Sequence, residues 1–334
     1  MTTTRVMAGL ALAAASALAL AGCASGDSGD SGSADGGKQK LSIGISQLVQ
    51  HPALDAATEG FKKAFIDAGY VDGDTVNFDV QNANGEQSTA VTIAQSFASQ
   101  DLDMVLAVAT PAAQAAAQAI TNIPVLFTAV TDAESAELVD SNEKPGGNIT
   151  GTSDAAPIGD QLDLLQQIVP DAKVVGIVYS SGEVNSEVQV KAAEAAADER
   201  GMTIKSQTVT TANDIAQAAA ALGDVDAIYV PTDNTVVSGI SALVQYAEGK
   251  QIPIIGAEAG TVEGGAIATL GIDYEKLGHQ TGEMALKILE NDGDPATMPV
   301  EVSKEFSYVV NPGAAERMGV TIPEDILDKA ETVE

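Results

Sequence analysis

Short hydrophobic runs alternate with longer amphipathic stretches along the chain from residue 41 onward. The runs predict nine β-strands, at residues 41–46, 75–80, 104–109, 125–129, 174–179, 203–209, 227–230, 254–256 and 266–270. The stretches between them, such as residues 53–68 and 276–289, repeat apolar residues at three- and four-residue spacing and predict helices. Because near-continuous apolar strands are typical of parallel sheets covered on both faces, the pattern predicts an α/β fold with doubly wound parallel sheets.

The two halves of the chain follow a similar plan. Segment 101–110 parallels segment 224–233, and each is followed by a helical stretch and a strand that begins with Ile-Pro, at Ile123 and Ile252. Any two βα units share part of this plan, but here the landmarks also keep their order. We therefore expect two similar lobes joined by a hinge. Ligands of open α/β sheets bind beyond the carboxyl ends of the strands, so two facing edges predict a cleft.

The amino terminus has the pattern of an export signal. Arg5 precedes an apolar run over residues 6–20, which ends in Leu-Ala-Gly-Cys at Cys23. The run is shorter than the roughly 20 residues that a membrane-spanning helix needs. The segment resembles a lipoprotein signal, which implies that residues 1–22 are a signal peptide and that Cys23 is lipidated. Residues 23–40 are predicted to form a flexible Ser/Gly/Asp tether. Lipidation of Cys23 would place the protein outside the cytoplasm, anchored to the cell membrane.

Composition excludes several classes of function. The 334 residues include 47 acidic and 16 basic side chains, for a formal net charge of −31, so nucleic acid is not an expected partner. One Cys and two His rule out an internal disulfide and a Cys- or His-rich metal site. The sequence also lacks the nucleophile-elbow, P-loop and dinucleotide-binding motifs. We expect no enzyme activity, no cofactor and no metal.

Two strand ends suggest how a ligand is held. Thr110 and Pro111 follow a strand and begin a helix, so Thr110 is a candidate N-cap. Free amides at Ala112 and Ala113 would donate hydrogen bonds to a small anion such as a carboxylate. Asp233 occupies the corresponding place in the second half. Each residue is equally consistent with an ordinary helix cap. If the halves face each other, however, the pair suits a zwitterion.

Other residues at strand ends are expected to line the same cleft, although hydroxyls, amides and loop carboxylates are also common turn formers. They are Gln47 at the rim with Ser46, His51 and Pro52; Thr128, Ala129 and Val130; Asp154; Glu183 and Asn185; and Asn234. Five aromatic residues could line a side-chain pocket or belong to the core: Tyr70, Phe127, Tyr179, Tyr229 and Tyr274.

Several segments together resemble a known family. They are the lipobox, Ser46-Gln-Leu-Val-Gln-His-Pro-Ala-Leu-Asp55, Ala107-Val-Ala-Thr-Pro-Ala-Ala-Gln114, Tyr229-Val-Pro-Thr-Asp-Asn234 and the terminal segment 311–323. In order and completeness they resemble ABC-transporter substrate-binding lipoproteins of the tryptophan/tyrosine type, which have a type I periplasmic-binding fold. The resemblance covers the chain from Leu41 to its end. Two departures, Asn311-Pro-Gly in the tail and Ala156-Pro157, do not touch the expected cleft.

The resemblance implies a monomeric protein that closes by a hinge on an amino acid, aromatic or branched apolar, and delivers it to a membrane permease with its ATPase subunit. The implied carboxylate site is Thr110, Ala112, Ala113, Thr128, Ala129 and Val130. Asp233 would take the ammonium, with Asp154, Glu183, Asn185 and Asn234 as further contacts. The implied lobes are residues 41–153 with about 274–302, and 154–273 with about 303–334.

Two alternatives keep the fold and change the role. The ligand could be a nucleoside or a sugar, or the protein could present its ligand to a membrane receptor as a sensor. Sugar sites usually stack rings on aromatic side chains, and the absence of Trp with only 12 Phe and Tyr counts against a sugar. A secreted hydrolase is disfavoured because no nucleophile arrangement is found.

Overall fold

The computed structural model describes residues 40–291, 293–303 and 305–334. Cys23, the predicted signal peptide and all but the last residue of the predicted tether lie outside these residues. Within the described ranges, none of the helices is both long and apolar enough to cross a bilayer.

The chain alternates strands and helices in the predicted order. The strands are β1 Leu41–Gln47, β2 Val76–Asn82, β3 Met104–Val108, β4 Val125–Val130, β5 Ile149–Ser153, β6 Val174–Ser180, β7 Thr203–Val209, β8 Ala227–Val230, β9 Ile254–Gly256, β10 Ala268–Gly271, β11 Glu301–Val302, β12 Ser307–Val310 and β13 Ala330–Thr332. The α-helices are α1 Pro52–Asp67, α2 Gln87–Ala98, α3 Thr110–Ala119, α4 Ile158–Ile168, α5 Val184–Glu199, α6 Ile215–Ala221, α7 Asn234–Ser238, α8 Ile240–Lys250, α9 Ala259–Glu263, α10 Tyr274–Asn291, α11 Pro312–Arg317 and α12 Glu324–Leu327.

Two sheets organise the strands. The first has the order β11-β5-β4-β3-β1-β2 and the second the order β13-β12-β10-β9-β8-β6-β7. The run β5-β4-β3-β1-β2 corresponds strand for strand to β10-β9-β8-β6-β7, which confirms the predicted repetition of one α/β plan. All pairs in the first sheet are parallel. The prediction of two doubly wound parallel-sheet lobes is confirmed, and the second sheet has one antiparallel pair, β12 with β10.

Each sheet has its own hydrophobic core, and we call the sheets with their cores lobe 1 and lobe 2. The core of lobe 1 extends from β1 to β5 and includes Leu277 and Met284 of α10. The core of lobe 2 extends from α4 to α12. The chain passes between the sheets three times, after β5, after β10 and between β11 and β12. Such multiple crossings form a hinge in two-lobed binding proteins.

Four strands were not predicted from the hydrophobic pattern: β5, β11, β12 and β13. The sequence of β5 is Ile-Thr-Gly-Thr-Ser, and all five residues are buried. Because three of them carry hydroxyl groups, the hydrophobic pattern does not reveal the strand. Thr152 shows how they are satisfied, because its hydroxyl hydrogen-bonds to Thr128 at 3.1 Å and to Thr281 at 2.8 Å. Buried hydroxyls with such partners are as compatible with a strand interior as apolar side chains are.

Helices α1 and α10 pack closely on one face of lobe 1. Glycines at the contact make this possible: a Cβ on Gly278 would overlap the carbonyl oxygen of Ala57, and one on Gly60 would overlap that of Glu275. The exposed side of α10 carries His279, which lies 3.2 Å from Asp67. His279 is therefore a surface residue, with its side chain 31% exposed.

We predict that Gly278→Ala lowers the free energy of unfolding by about 1–3 kcal/mol, because the added methyl group forces α10 away from α1. The control is Gly249→Ala in α8, where nothing lies within 4 Å of the added Cβ. That variant should gain up to about 1 kcal/mol from helix propensity alone. Thermal and urea unfolding measure both, and equal stability of the two variants would contradict the close helix contact.

Candidate functional site

A small cavity lies between the two lobes, at the carboxyl ends of their strands. Its volume is about 10 Å³, which is room for about one water molecule, so the lobes leave little space between them. The residues around it are His51, Leu54, Ala129, Thr131, Asp154, Asn185, Thr232, Asp233, Asn234, Val237, Glu258 and Tyr274. Both lobes contribute to this lining, and the crossing segments supply Asp154 and Tyr274. The cavity is at the place where open α/β sheets bind ligands.

Contacts across the cavity hold the lobes together. The Thr131 hydroxyl of lobe 1 lies 3.4 Å from the Thr232 hydroxyl of lobe 2. The Gln189 amide donates to both hydroxyls. His51 Nε2 lies 3.5 Å from Asn234 Oδ1, again from one lobe to the other. The structure therefore has the two lobes closed on each other.

Asp154 and Glu258 bring two buried carboxyl groups to the cavity. Asp154 is satisfied on both oxygens, by the Thr131 hydroxyl at 2.9 Å and by the Tyr274 hydroxyl at 2.8 Å. Glu258 is 2% exposed, and its Oε1 has no hydrogen-bond partner among the described residues. Burial, with the nearby charge of Asp154, raises the pKa of Glu258 to about 8. A positive group in the cavity would stabilise the ionised form of Glu258.

Asp233 lines the cavity, but its carboxylate already serves the fold of lobe 2. Oδ1 accepts from the Val236 amide at 2.7 Å and so caps α7. Oδ2 accepts from the Ser180 amide at 2.5 Å and the Ser186 hydroxyl at 2.7 Å. Burial and the neighbouring charge of Glu183 raise the pKa of Asp233. The helix-cap interpretation of Asp233 is confirmed.

Glu183 also bonds within lobe 2. Its two oxygens accept from backbone and side-chain groups of Asn234 and Thr235 and from the Asn185 amide. Glu183 is not part of the cavity lining. Its hydrogen bonds hold Asn185 and Asn234 in place, and these two residues do line the cavity.

The amino terminus of α3 differs in detail from the prediction. The helix begins at Thr110, and the N-cap is Ala109, whose φ of 81° is unusual for a residue with a side chain. The Ala113 amide therefore donates to the Ala109 carbonyl oxygen at 3.0 Å. The predictions that Thr110 is the N-cap and that the Ala113 amide is free are wrong, because the strained Ala109 lets the helix start one residue earlier. The amides of Thr110 and Ala112 still precede the first intrahelical bond.

The structure gathers five of the twelve predicted ligand-binding residues around the cavity: Ala129, Asp154, Asn185, Asp233 and Asn234. The other seven do not line it: Gln47, Thr110, Ala112, Ala113, Thr128, Val130 and Glu183. Gln47, for example, bonds inside lobe 1 to Asp55 at 2.7 Å and to Thr58 at 2.7 Å. Thr110 is nevertheless at the same sheet edge as Ala129, and its buried hydroxyl has no partner in the part of the chain that is described.

Sequence reasoning missed Glu258 altogether and left His51 at the rim. A usable signal was present for Glu258, since it follows β9 by two residues and thus lies at the same edge as Asp233 after β8. His51 precedes α1 immediately, at its N-cap position. Tyr274, predicted as either pocket or core, does both: it borders the cavity and belongs to the core of lobe 1.

The two sheets, their shared strand order and the cavity between them define the class of type I periplasmic binding proteins. The chain belongs to the family of ABC transporter substrate binding proteins, whose model matches residues 42–334. Family membership confirms that the chain is a binding protein and not an enzyme.

Characterised relatives cover nearly the whole chain. A tyrosine-binding protein of Clostridioides difficile is 43% identical over 299 residues, which are 87% of this chain and 86% of the relative. The crystal structure of a Streptococcus pneumonia domain in complex with L-Trp is 37% identical, covers 89% of this chain and 100% of that one, and has a TM-score of 0.85. The ligand-free, open structure of a Clostridium difficile substrate-binding protein with adhesive properties is 43% identical, with coverages of 88% and 99%, and a TM-score of 0.68.

The two solved structures differ in a way that sequence identity does not explain. The more identical one, which is open and ligand-free, superposes less well than the L-Trp complex. The cross-cavity contacts of Thr131, Gln189 and His51 belong to a closed arrangement of the lobes, and a structure with its lobes apart would lack them.

We predict that Asp233→Ala lowers the free energy of unfolding by about 2–4 kcal/mol, since it removes a helix cap and leaves two further buried donors without their acceptor. Asp214→Ala is the control, because Asp214 caps the short 3₁₀-helix 212–214 near the surface of the same lobe. The control should lose about 1 kcal/mol. Thermal unfolding compares them. Wild-type stability of Asp233→Ala combined with lost ligand binding would instead make Asp233 a ligand contact.

Proposed function

We propose that this protein is an extracytoplasmic lipoprotein that binds an aromatic amino acid in the interlobe cavity and delivers it to the permease of an ABC importer. The family and the relatives named for tyrosine and L-Trp support the ligand class. The sequence features that support the location are the short apolar run and Cys23. The observation that carries the proposal is the buried Glu258 at the cavity.

The ammonium group of the ligand belongs beside Glu258 and Asp154. Two buried carboxyl groups with raised pKa values are costly unless a positive charge joins them, and an ammonium supplies that charge together with three N–H donors. Glu258 Oε1 is the better acceptor, since both oxygens of Asp154 already accept hydroxyl groups. In this assignment Asp233 supports the pocket by holding α7 and β6 in place.

The carboxylate group of the ligand belongs at the edge of lobe 1. The Thr110 and Ala112 amides at the start of α3 point a helix N-terminus toward this edge. The hydroxyls of Ser46 and Thr110 are buried there, and neither has a partner among residues that the structure describes. Ala129, with a φ of 56°, connects this edge to the cavity. A carboxylate would accept from these donors.

The apolar part of the lining suits an amino acid side chain. Leu54, Val237 and Ala129 provide aliphatic surface, and Tyr274 provides one aromatic ring. The hinge, at the three crossings between the sheets, would open the cavity to admit the ligand and close on it, as in other two-lobed binding proteins.

The proposal predicts that the protein without its signal peptide binds L-tyrosine or L-tryptophan with a dissociation constant of about 1 µM or less. Isothermal titration against the twenty amino acids, a nucleoside set and a sugar set measures this. Glu258→Gln should weaken the binding by about 2–5 kcal/mol, because it removes the charge that faces the ammonium and leaves the shape of the cavity nearly unchanged.

The control for Glu258→Gln is Glu316→Gln, which removes one exposed carboxylate from the same lobe. It should bind as the wild type does. Binding of a nucleoside or a sugar with no amino acid bound would overturn the ligand class. Equal affinities of Glu258→Gln and the wild type would overturn the placement of the ammonium.

Membrane anchoring gives a separate prediction. Replacing the only cysteine by Cys23→Ala removes the thiol that would be lipidated. We expect the full-length wild-type protein in the membrane fraction of the producing cells, and the variant in the soluble fraction or the medium. Ser28→Ala, in the predicted tether, is the matched control and should fractionate as the wild type does. Membrane association of Cys23→Ala would contradict a lipid anchor.

A further inference from the structure

His51 reaches across the cavity in a way that the proposed amino-acid site does not yet use. It is 6% exposed, at the N-cap of α1 in lobe 1, and makes no capping hydrogen bond within the described residues. Its Nε2 lies 3.5 Å from Asn234 Oδ1, and its Nδ1 lies 4.0 Å from Glu258 Oε1, both in lobe 2. One imidazole ring thus faces two groups of the opposite lobe.

The Asn234 amide fixes which ring nitrogen carries the proton. Its Nδ2 donates to Glu183 Oε2 at 2.6 Å, so its Oδ1 is turned toward His51. An oxygen acceptor there selects the tautomer with the proton on Nε2. In the neutral ring Nδ1 is then a bare acceptor.

Two acceptors from opposite lobes therefore face each other. Neither His51 Nδ1 nor Glu258 Oε1 has a hydrogen-bond partner in the described part of the protein, and both residues line the cavity. Their separation of 4.0 Å is too long for a direct hydrogen bond. It is short enough for one nitrogen donor to lie about 3 Å from each.

We infer that His51 and Glu258 form a clamp for the primary ammonium of the ligand, which donates one N–H to His51 Nδ1 and another to Glu258 Oε1 and so joins the two lobes. This inference rests on the proposed amino-acid function. It adds that His51 selects ligands with an amine and that protonation of His51 opposes their binding. A ligand without the amine leaves both acceptors buried and unpaired, which is unfavourable.

Protonation of His51 acts against the ligand. An imidazolium carries a proton on Nδ1, so it cannot accept from the ammonium, and it attracts Glu258 directly. Burial lowers the pKa of His51 in the closed protein, so closure on a ligand requires the neutral ring. The charged and titratable groups around the ring are Asp55 of its own helix, Glu183 before α5, Asp233 before α7, Glu258 before α9, and Asp154 and Tyr274 of the crossing segments. The contribution of His51 to the affinity is therefore present above the ordinary imidazole pKa of about 6.5 and is lost as the pH falls below it.

The test pairs each amino acid with its deaminated analogue: L-tyrosine with 3-(4-hydroxyphenyl)propanoate, and L-tryptophan with indole-3-propanoate. His51→Leu should weaken binding of the amino acid about 10- to 100-fold and change binding of the analogue much less, because only the amino acid uses Nδ1. Titration calorimetry at pH 7.5 gives both constants. An equal loss for amino acid and analogue would overturn the clamp and leave His51 a packing residue.

A pH series on the wild-type protein tests the clamp without any substitution in the cavity. Between pH 7.5 and 5.5 the affinity for the amino acid should fall about tenfold. The affinity for the analogue should fall less, because the analogue shares only the cost of burying the ring and does not use Nδ1 as an acceptor. His51→Gln, whose amide oxygen accepts without titrating, should flatten this profile. His279→Gln is the matched control, since it removes the other histidine from the surface, and it should keep the wild-type profile. A His51→Gln profile as steep as the wild type would overturn the inference.

Failure of the underlying function has a different signature. If no amino acid binds the wild-type protein at any pH, the proposed ligand class is wrong. If an amino acid binds but His51 variants treat it and its analogue alike, the ligand class holds and only the clamp is wrong.

Discussion

The closed arrangement of the lobes depends on how carboxylates are satisfied once water is removed from between them. A buried carboxylate is tolerated only with hydrogen-bond donors or a positive charge close by. Glu183 and Asp233 obtain donors from the starts of α5 and α7, and Asp154 from two hydroxyls. Glu258 is the exception, because one of its oxygens has no donor among the described residues. With its pKa raised to about 8, Glu258 is mainly the neutral acid in the closed protein at neutral pH, and a cationic group beside it would favour its ionised form.

The need of buried carboxyl groups for donors also explains why the acidic residues near the cavity have two different roles. Those that cap helices are pinned by several hydrogen bonds each, so they give the cavity rigid walls and cannot move to meet a ligand. Glu258 and His51 are held less tightly, and they come from opposite lobes. Rigid support with a few groups reserved for the ligand is how binding sites are preorganised. Backbone strain at Ala109 and Ala129 belongs to the same support, since it sets where α3 begins and where β4 ends.

The sequence predicted the repeated α/β plan because buried parallel strands are apolar almost throughout, and strands β7, β8 and β9 came out with the bounds the structure has. It missed β5, whose threonines are satisfied by other hydroxyls, and β11 to β13, which are short or near a sheet edge. The edge on which a ligand sits followed from topology. The side chains that reach the cavity could not be predicted in the same way, because Asp233, Glu183 and Glu258 are all acidic residues that follow a strand in the sequence. Only the count of donors around each carboxylate separates them.

A clamp shared between lobes also bears on how a binding protein signals that it is loaded. A ligand favours closure only through contacts that the open form lacks. Contacts to Glu258 alone would bind the ligand equally well to an open lobe 2, whereas a donor shared with His51 exists only after closure. The ammonium would thus stabilise the closed arrangement of the lobes, and not only the binding of the ligand to lobe 2. Because the unpaired acceptors disfavour closure without ligand, the same two residues would keep the empty protein open and so let a permease distinguish the loaded form from the empty one.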